Sequence, residues 1–252
     1  MIDDHKRILV TNNMVSYAEP IGDLGVVNAC HQYFKSNPNH FKLVLFTGGE
    51  DVSPSLYKDT SPKGLCHYSP ERDAEEAHIF RIARNNGIKM VGVCRGAQFL
   101  TVMTGGKLMH HISKHAGGYH DMVCSMDTST IIRVNSLHHQ MCLPAKGNYI
   151  VGWTPKRIST EYFGMADKPV KYCGPEVEAI VFPEIKAFAV QYHPEMMTPG
   201  SEGWRYFHNA VEDLLKMSIK DFADKYRGIK NVLSEPTKPA TDVKQLTYTP
   251  TI

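Results

Sequence analysis

Cys94 stands between two glycines in Gly92-Val-Cys-Arg-Gly96, after the strand-forming run 90–93 and before the helix-forming run 97–103. A Gly-x-Cys-x-Gly turn between a strand and a helix lets the backbone turn tightly while the side chain stands clear, as a nucleophile elbow requires. The unpaired amides and positive dipole end of the helix would face the sulfur and favour its thiolate. The competing reading of these five residues is an inert buried cysteine, since free cysteine is among the most buried residue types.

A thiol nucleophile needs a base, a group that fixes the base, and donors for the oxyanion. His193 and Glu195 sit two residues apart after the apolar run 187–192, where extended geometry would put both side chains on one face. Glu195 could then orient one imidazole nitrogen while the other meets Cys94. Gly48-Gly49, at the end of the apolar run 41–46, can present an amide where a side chain would obstruct substrate, and with the Arg95 amide could form an oxyanion hole.

The elements that must position these groups follow from periodicity and punctuation. Residues 7–11, 41–46, 90–93, 130–135 and 149–154 are expected as strands, the apolar run 41–46 fitting a sheet covered on both faces. Residues 23–35 are expected as a helix, and Ser69-Pro70 caps a second helix over 71–86 that Gly87 stops. Residues 48–57 and 113–121 have loop compositions. Residues 177–182 and 187–192 form an antiparallel hairpin around Pro183-Glu-Ile-Lys186. A last helix opens at Ser201 or Glu202, with Trp204, Phe207, Val211, Leu214 and Leu215 at helical spacing. One domain over residues 1–227 is expected, followed by a tail over 228–252 with too few apolar residues for a core.

Composition narrows the function classes. The chain has 252 residues, 28 basic and 26 acidic, for a net charge of +2, with no basic run suited to nucleic acid and no apolar stretch longer than a strand. Neither a nucleic-acid nor a membrane partner is expected, and the polar N-terminus, with no signal peptide, points to a cytoplasmic protein. Six scattered cysteines without a Cys-x-x-Cys pair are expected as reduced thiols, those other than Cys94 serving as small apolar residues. His110, His111, His115 and His120 match no standard zinc spacing, so no metal site and no cofactor are expected. Asp51, beside the Gly48-Gly49 loop, is read as a loop-capping residue rather than a catalytic one.

Gly92-Val-Cys-Arg-Gly-Ala-Gln98, Gly48-Gly-Glu-Asp-Val-Ser-Pro-Ser-Leu-Tyr57, Val134-Asn-Ser-Leu-His-His-Gln140 and Val190-Gln-Tyr-His-Pro-Glu195, in that chain arrangement, resemble the class I glutamine amidotransferase-like superfamily. Within it the resemblance is greatest to the γ-glutamyl-γ-aminobutyrate hydrolase branch, peptidase family C26, and it covers roughly residues 43–215. It implies a flavodoxin-like α/β fold, a mostly parallel central sheet flanked by helices, with Cys94 at the carboxyl end of a strand. It implies a Cys94, His193, Glu195 triad with an oxyanion hole from the amides of Gly49 and Arg95. Gln98 and His138 would line the pocket for a γ-glutamyl group, although His138 and His139 compete for that place. Arg72-Asp73, Glu76 and 105–108 would be packing or loop-anchoring positions. The implied reaction is hydrolysis of a γ-glutamyl amide of a small molecule, releasing glutamate and ammonia or an amine. The alternatives are a glutaminase subunit passing ammonia to a separate synthase partner, and a non-enzymatic scaffold on this fold; a homo-oligomer is also open. The family's usual extra strand and helix before residue 41 find room here for one helix, so a shortened N-terminal edge is expected.

Overall fold

Apolar runs covered on both faces are what the centre of this chain is made of. The computed structural model describes residues 7–60, 64–164 and 169–228; the C-terminal tail expected from residue 228 lies, beyond Gly228, outside the described residues. In chain order the elements are β1 (Arg7–Val10), β2 (Val26–Asn28), α1 (His31–Ser36), β3 (Phe41–Phe46), α2 (Pro70–Asn85), β4 (Lys89–Val93), α3 (Arg95–Met103), β5 (Lys107–Met109), β6 (His111–Ile112), β7 (Tyr119–Cys124) and β8 (Asp127–Asn135). They continue with β9 (Met141–Leu143), β10 (Tyr149–Trp153), β11 (Tyr162–Phe163), β12 (Val177–Phe182), β13 (Ala187–Val190), α4 (Glu202–Lys216) and α5 (Ile219–Tyr226).

The main sheet runs in the order β2-β1-β3-β4-β13-β12-β10-β7-β8. Pairing is parallel from β2 through β13, and antiparallel from β13 out to β8. The expected α/β arrangement, parallel core strands flanked by helices, thus surrounds residue 94, and β12 with β13 is the expected hairpin. Phe34, Phe80 and Phe99 bring α1, α2 and α3 onto one face of the sheet. Phe207, Leu214 and Phe222 bring α4 and α5 onto the other. No helix among the described residues is long and apolar enough to cross a membrane.

Three expectations about elements change. The helix expected over 23–35 is instead β2 followed by α1. Gly25 interrupts the helical run, Val26 and Val27 are β-branched and pair with Arg7 and Ile8, and the Asn28 side chain accepts from the Cys30 amide at 2.8 Å before α1 starts. A strand and a short helix therefore do precede β3, so the shortened N-terminal edge is corrected too. The loop expected over 113–121 contains the start of β7, whose alternating exposure matches a strand paired to β8. Finally, α5 escapes a reading that stops at the stronger apolar stripe of α4.

The start of α3 presses on the end of β3. A Cβ on Gly96 would lie 2.1 Å from the Phe46 carbonyl oxygen, a backbone atom that cannot step aside without moving the sheet. Gly96→Ala is therefore expected to lower stability by about 1–3 kcal/mol through overpacking, read from the denaturant midpoint. An unchanged midpoint would show that the helix sits less tightly than this.

Candidate active site

The backbone of Cys94 occupies φ 52°, ψ −108°, outside helical and extended space, between β4 and α3. A non-glycine residue in such a region costs of order 1–3 kcal/mol and persists only where its surroundings hold it. Here the Cys94 amide donates to the Val190 carbonyl at 2.8 Å, tying the elbow to β13, and its carbonyl accepts from Ala97 and Gln98 at 2.9 and 3.1 Å. The sulfur-bearing side chain is thereby held at the carboxyl end of the parallel strands, where open α/β sheets place ligands.

The end of β13 delivers His193. Beyond Val190 the chain is gripped twice: the Tyr192 hydroxyl donates to the Gly203 carbonyl at 2.8 Å, and Asn135 clamps the His193 backbone, accepting from its amide and donating to its carbonyl, each at 2.8 Å. A 3-10 turn over Pro194–Met196 then brings Glu195 Oε1 to 2.7 Å from His193 Nδ1. The two side chains meet as expected, by a tight turn rather than by extended geometry. Cys94 and Glu195 both act on the imidazole. Burial alone would push His193 down, but Cys94 and Glu195 outweigh it and hold the imidazole up at about 10.

Tyr17, from an irregular segment with no sequence signal for function, completes this corner. Its ring centroid lies 6.0 Å from that of His193. Burial, then the charges of Glu195 and Cys94, push its phenol upward, so it stays protonated and able to donate. Asn135 is the other residue missed: it lies in Val134-Asn-Ser-Leu-His-His-Gln140, but only the folded register of β8 places it against His193.

Gly48 and Gly49 follow β3, next to β4 in the sheet. At Gly48 a Cβ would fall 2.4 Å from the Tyr17 hydroxyl and 3.0 Å from His193 Cε1; Gly49 has φ 128°. Neither the Gly49 nor the Arg95 amide donates to another group among the described residues. The loop is held from beneath by Arg72, which donates to the carbonyls of Thr47 and Gly48 at 3.1 and 2.8 Å, to Glu76 at 3.1 Å and to Glu50 at 2.6 Å. Arg95 turns its own guanidinium inward to Asp73 at 2.5 Å and to Glu76, leaving its amide at the elbow. Asp73 accepts from the Ser53 amide and Glu76 from the Thr11 hydroxyl, each at 3.0 Å. These positions are loop anchors, and Asp51 is one as well, accepting from the His67 amide at 2.9 Å and meeting His139 Nε2 at 3.1 Å.

Gln98 is buried one turn beyond Cys94 on α3. The expectation for His138 requires correction: its Nδ1 is 2.8 Å from the Gln140 carbonyl and its Nε2 faces Glu178, so neither nitrogen is turned to a pocket-bound molecule. His139 is the more exposed of the pair. The site is narrow, with Cys94 and His193 each 6% exposed. A separate cavity, lined by Asp23, Phe41, Lys42 and Lys89, opens at the amino ends of β3 and β4, away from Cys94.

Comparison with known proteins places this geometry. The family model described as Peptidase C26 matches residues 26–195, which contain Gly49, Cys94, Arg95, Gln98, His193 and Glu195. The glutamine amidotransferase-like protein YvdE of Lactococcus lactis is 30% identical over 165 residues, 61% of this chain and 65% of its own length. A Mycobacterium tuberculosis protein provisionally named a glutamine amidotransferase is 38% identical over 69 residues, 27% of this chain and 22% of its own length. Less than two thirds of either relative is thus spanned. A Thermoplasma acidophilum protein provisionally named as part of a GMP synthase shares the fold, with TM-score 0.53 at 14% identity, covering 89% of this chain and 97% of that one.

Removing Glu76 leaves Arg95 buried without half of its partners, so Glu76→Ala should cost about 3–5 kcal/mol in chemical denaturation; a loss near zero would mean that the network is dispensable. For His193 the folded state lies above the ordinary 6.5, so its protonation contributes stability that is complete below 6.5 and lost as pH rises through about 10. NMR titration of the imidazole should show this high midpoint and a lower one in Glu195→Gln, which removes the anion. A wild-type midpoint at or below the ordinary value would contradict the electrostatics described.

Proposed function

The chain belongs to the peptidase C26 family, and we propose that it is a cysteine-dependent hydrolase of γ-glutamyl amides acting through a γ-glutamyl thioester. One observation carries the reading: His193, held by Glu195 at 2.7 Å through Nδ1, is the imidazole whose protonation the Cys94 side chain at the strained elbow favours. Glutamine amidotransferase-like relatives support glutamine or a γ-glutamyl amine as the substrate class.

The steps follow from the groups in reach. With the imidazole held protonated, Cys94 acts as the thiolate, and its sulfur attacks the side-chain carbonyl carbon of the γ-glutamyl group. Negative charge develops on the carbonyl oxygen, toward which we assign the Gly49 and Arg95 amides. As the C–N bond breaks, the His193 imidazolium gives its proton to the departing amine. A water then loses a proton to neutral His193 and attacks the thioester carbonyl, and collapse returns the Cys94 thiolate and releases glutamate. Glu195 keeps Nδ1 as the protonated nitrogen throughout. Gln98, on the face of α3 one turn from the sulfur, is assigned to the glutamyl end of the substrate.

Purified full-length protein should release glutamate from glutamine or from a γ-glutamyl amine without another chain. His193→Ala should lower kcat by about 10²–10⁴-fold, and Cys94→Ala should remove turnover while leaving the fold intact. Wild-type rates in Cys94→Ala would contradict the mechanism. Activity only in the presence of a synthase would replace the hydrolase by an ammonia-supplying subunit, and a protein inactive in both settings would be the scaffold.

A further inference from the structure

A second thiol lies in the loop between β3 and α2, and the proposed reaction does not use it. Cys66 is partly exposed, whereas Cys30 and Cys173 are exposed and Cys124 and Cys142 are buried. Its Sγ lies 3.6 Å from Nδ1 of His110, whose ring is fully buried, and it accepts from Gln140 Nε2 at 3.0 Å. On the far side of the ring, His110 Nε2 faces the buried carboxylate oxygen Asp59 Oδ2 at 3.4 Å. Sulfur, imidazole and carboxylate thus follow one another in the order in which a thiol, its base and the group that orients the base act.

The neighbours of the ring decide where its protons go. An ionised carboxylate only accepts, so Nε2 carries a proton toward Asp59, and Nδ1 is left to receive one. Two groups reach Nδ1: the Cys66 thiol, and the Tyr57 hydroxyl at 3.4 Å. A thiol is ordinarily more acidic than a phenol, and burial followed by the nearby charges pushes the Tyr57 phenol up further, so Cys66 is the group that gives its proton to the ring. Asp51 and Asp73, the other acids close to Tyr57, are matched by His139 and Arg95, which leaves Asp59 facing the imidazolium. Gln140 Nε2 donates to the sulfur, and Oε1 of the same amide is buried without a partner. A hydroxyl added to the sulfur would find an acceptor there.

We propose that Cys66 is a second reactive thiol of this chain, one that takes an oxygen atom from a hydroperoxide, with His110 as its base and Asp59 as the group that orients His110. The thiol proton passes to His110 Nδ1, and the thiolate sulfur attacks the terminal oxygen of R–O–OH. An S–O bond forms as the O–O bond breaks, and the departing RO⁻ takes the proton from Nδ1, leaving as an alcohol, or as water when R is hydrogen. Sulfur loses an electron pair to the peroxide, and the product is the Cys66 sulfenic acid. The spacing of the cysteines gives no hint of this site, because Asp59, His110 and Gln140 come from separate parts of the chain. The thiol sits between two segments that shape the candidate active site. Gln140 closes the stretch that begins with Asn135, the clamp on His193, and the amide of His67, next to Cys66, donates to Asp51 beside the Gly48-Gly49 loop at 2.9 Å.

The test mixes reduced full-length protein with hydrogen peroxide at about pH 7, where an ordinary thiol is only a few per cent thiolate. Sulfenic acid is trapped with excess dimedone, and each cysteine is read separately by peptide mass spectrometry, so reaction at Cys94 does not enter. Cys66 should label about 3–10-fold faster than Cys30 and Cys173 although both are more exposed. His110→Gln should bring Cys66 down to their rate. Asp59→Asn, which keeps the shape of the side chain, should do the same and carries the test if His110→Gln does not fold. Tyr57→Phe should retain the fast rate, since it removes only the competing donor to Nδ1. Wild-type Cys66 labelling no faster than Cys30 and Cys173 would overturn the proposal. So would fast labelling that persists in His110→Gln and Asp59→Asn, which would make exposure rather than the imidazole its cause.

Discussion

The unfavourable backbone of Cys94 is the constraint from which the rest of this structure can be derived. A positive φ in a non-glycine residue is not adopted for its own sake; here β4, β13 and the first turn of α3 all hold it. The parallel register Val190↔Val93 puts the end of β13 beside the elbow, so the residues that follow Val190 must pass the sulfur. That is why His193, three residues beyond β13, comes close to Cys94, about a hundred positions earlier in the chain.

A buried charge network gives the elbow its rigidity. Arg72 and Arg95 share Glu76 between them, and Asp73 completes the pairing. Ion pairs this deeply buried bring little net stability compared with apolar residues of the same volume, because both charges lose their hydration. Their effect here is positional. Arg72 holds the carbonyls of Thr47 and Gly48, Arg95 carries the amide that follows Cys94, and Glu76 links the two. The two amides assigned to the oxyanion thus stand on one buried framework, which is the preorganisation that acyl transfer rewards.

Much of this was legible in the residues themselves. The glycine-bracketed Cys94, the His193-Pro-Glu195 triplet and Gly48-Gly49 announced their places because each depends on local backbone chemistry. The apolar runs of β3, β4, β12 and β13 read directly as covered strands. What escaped depended on contacts distant in sequence. Tyr17 lies in irregular chain with no period to read, and Asn135 acts through a backbone clamp that only the fold assembles. His138 looked like a pocket residue from its motif, yet its ring faces a carboxylate forty positions away. The helix expected over 23–35 failed for a different reason: its apolar spacing suits a helix, but Gly25 and two valines favour an edge strand beside β1.

These elements converge on one claim, that the Cys94 sulfur becomes covalently bound to a γ-glutamyl group during turnover. Intact-mass spectrometry of protein mixed with glutamine or a γ-glutamyl amine and quenched in acid tests it most directly. The account predicts a mass increase of one γ-glutamyl group, mapped by peptide analysis to Cys94 and absent from Cys94→Ala. Product formation with no adduct on Cys94, or an adduct on another side chain, would contradict it.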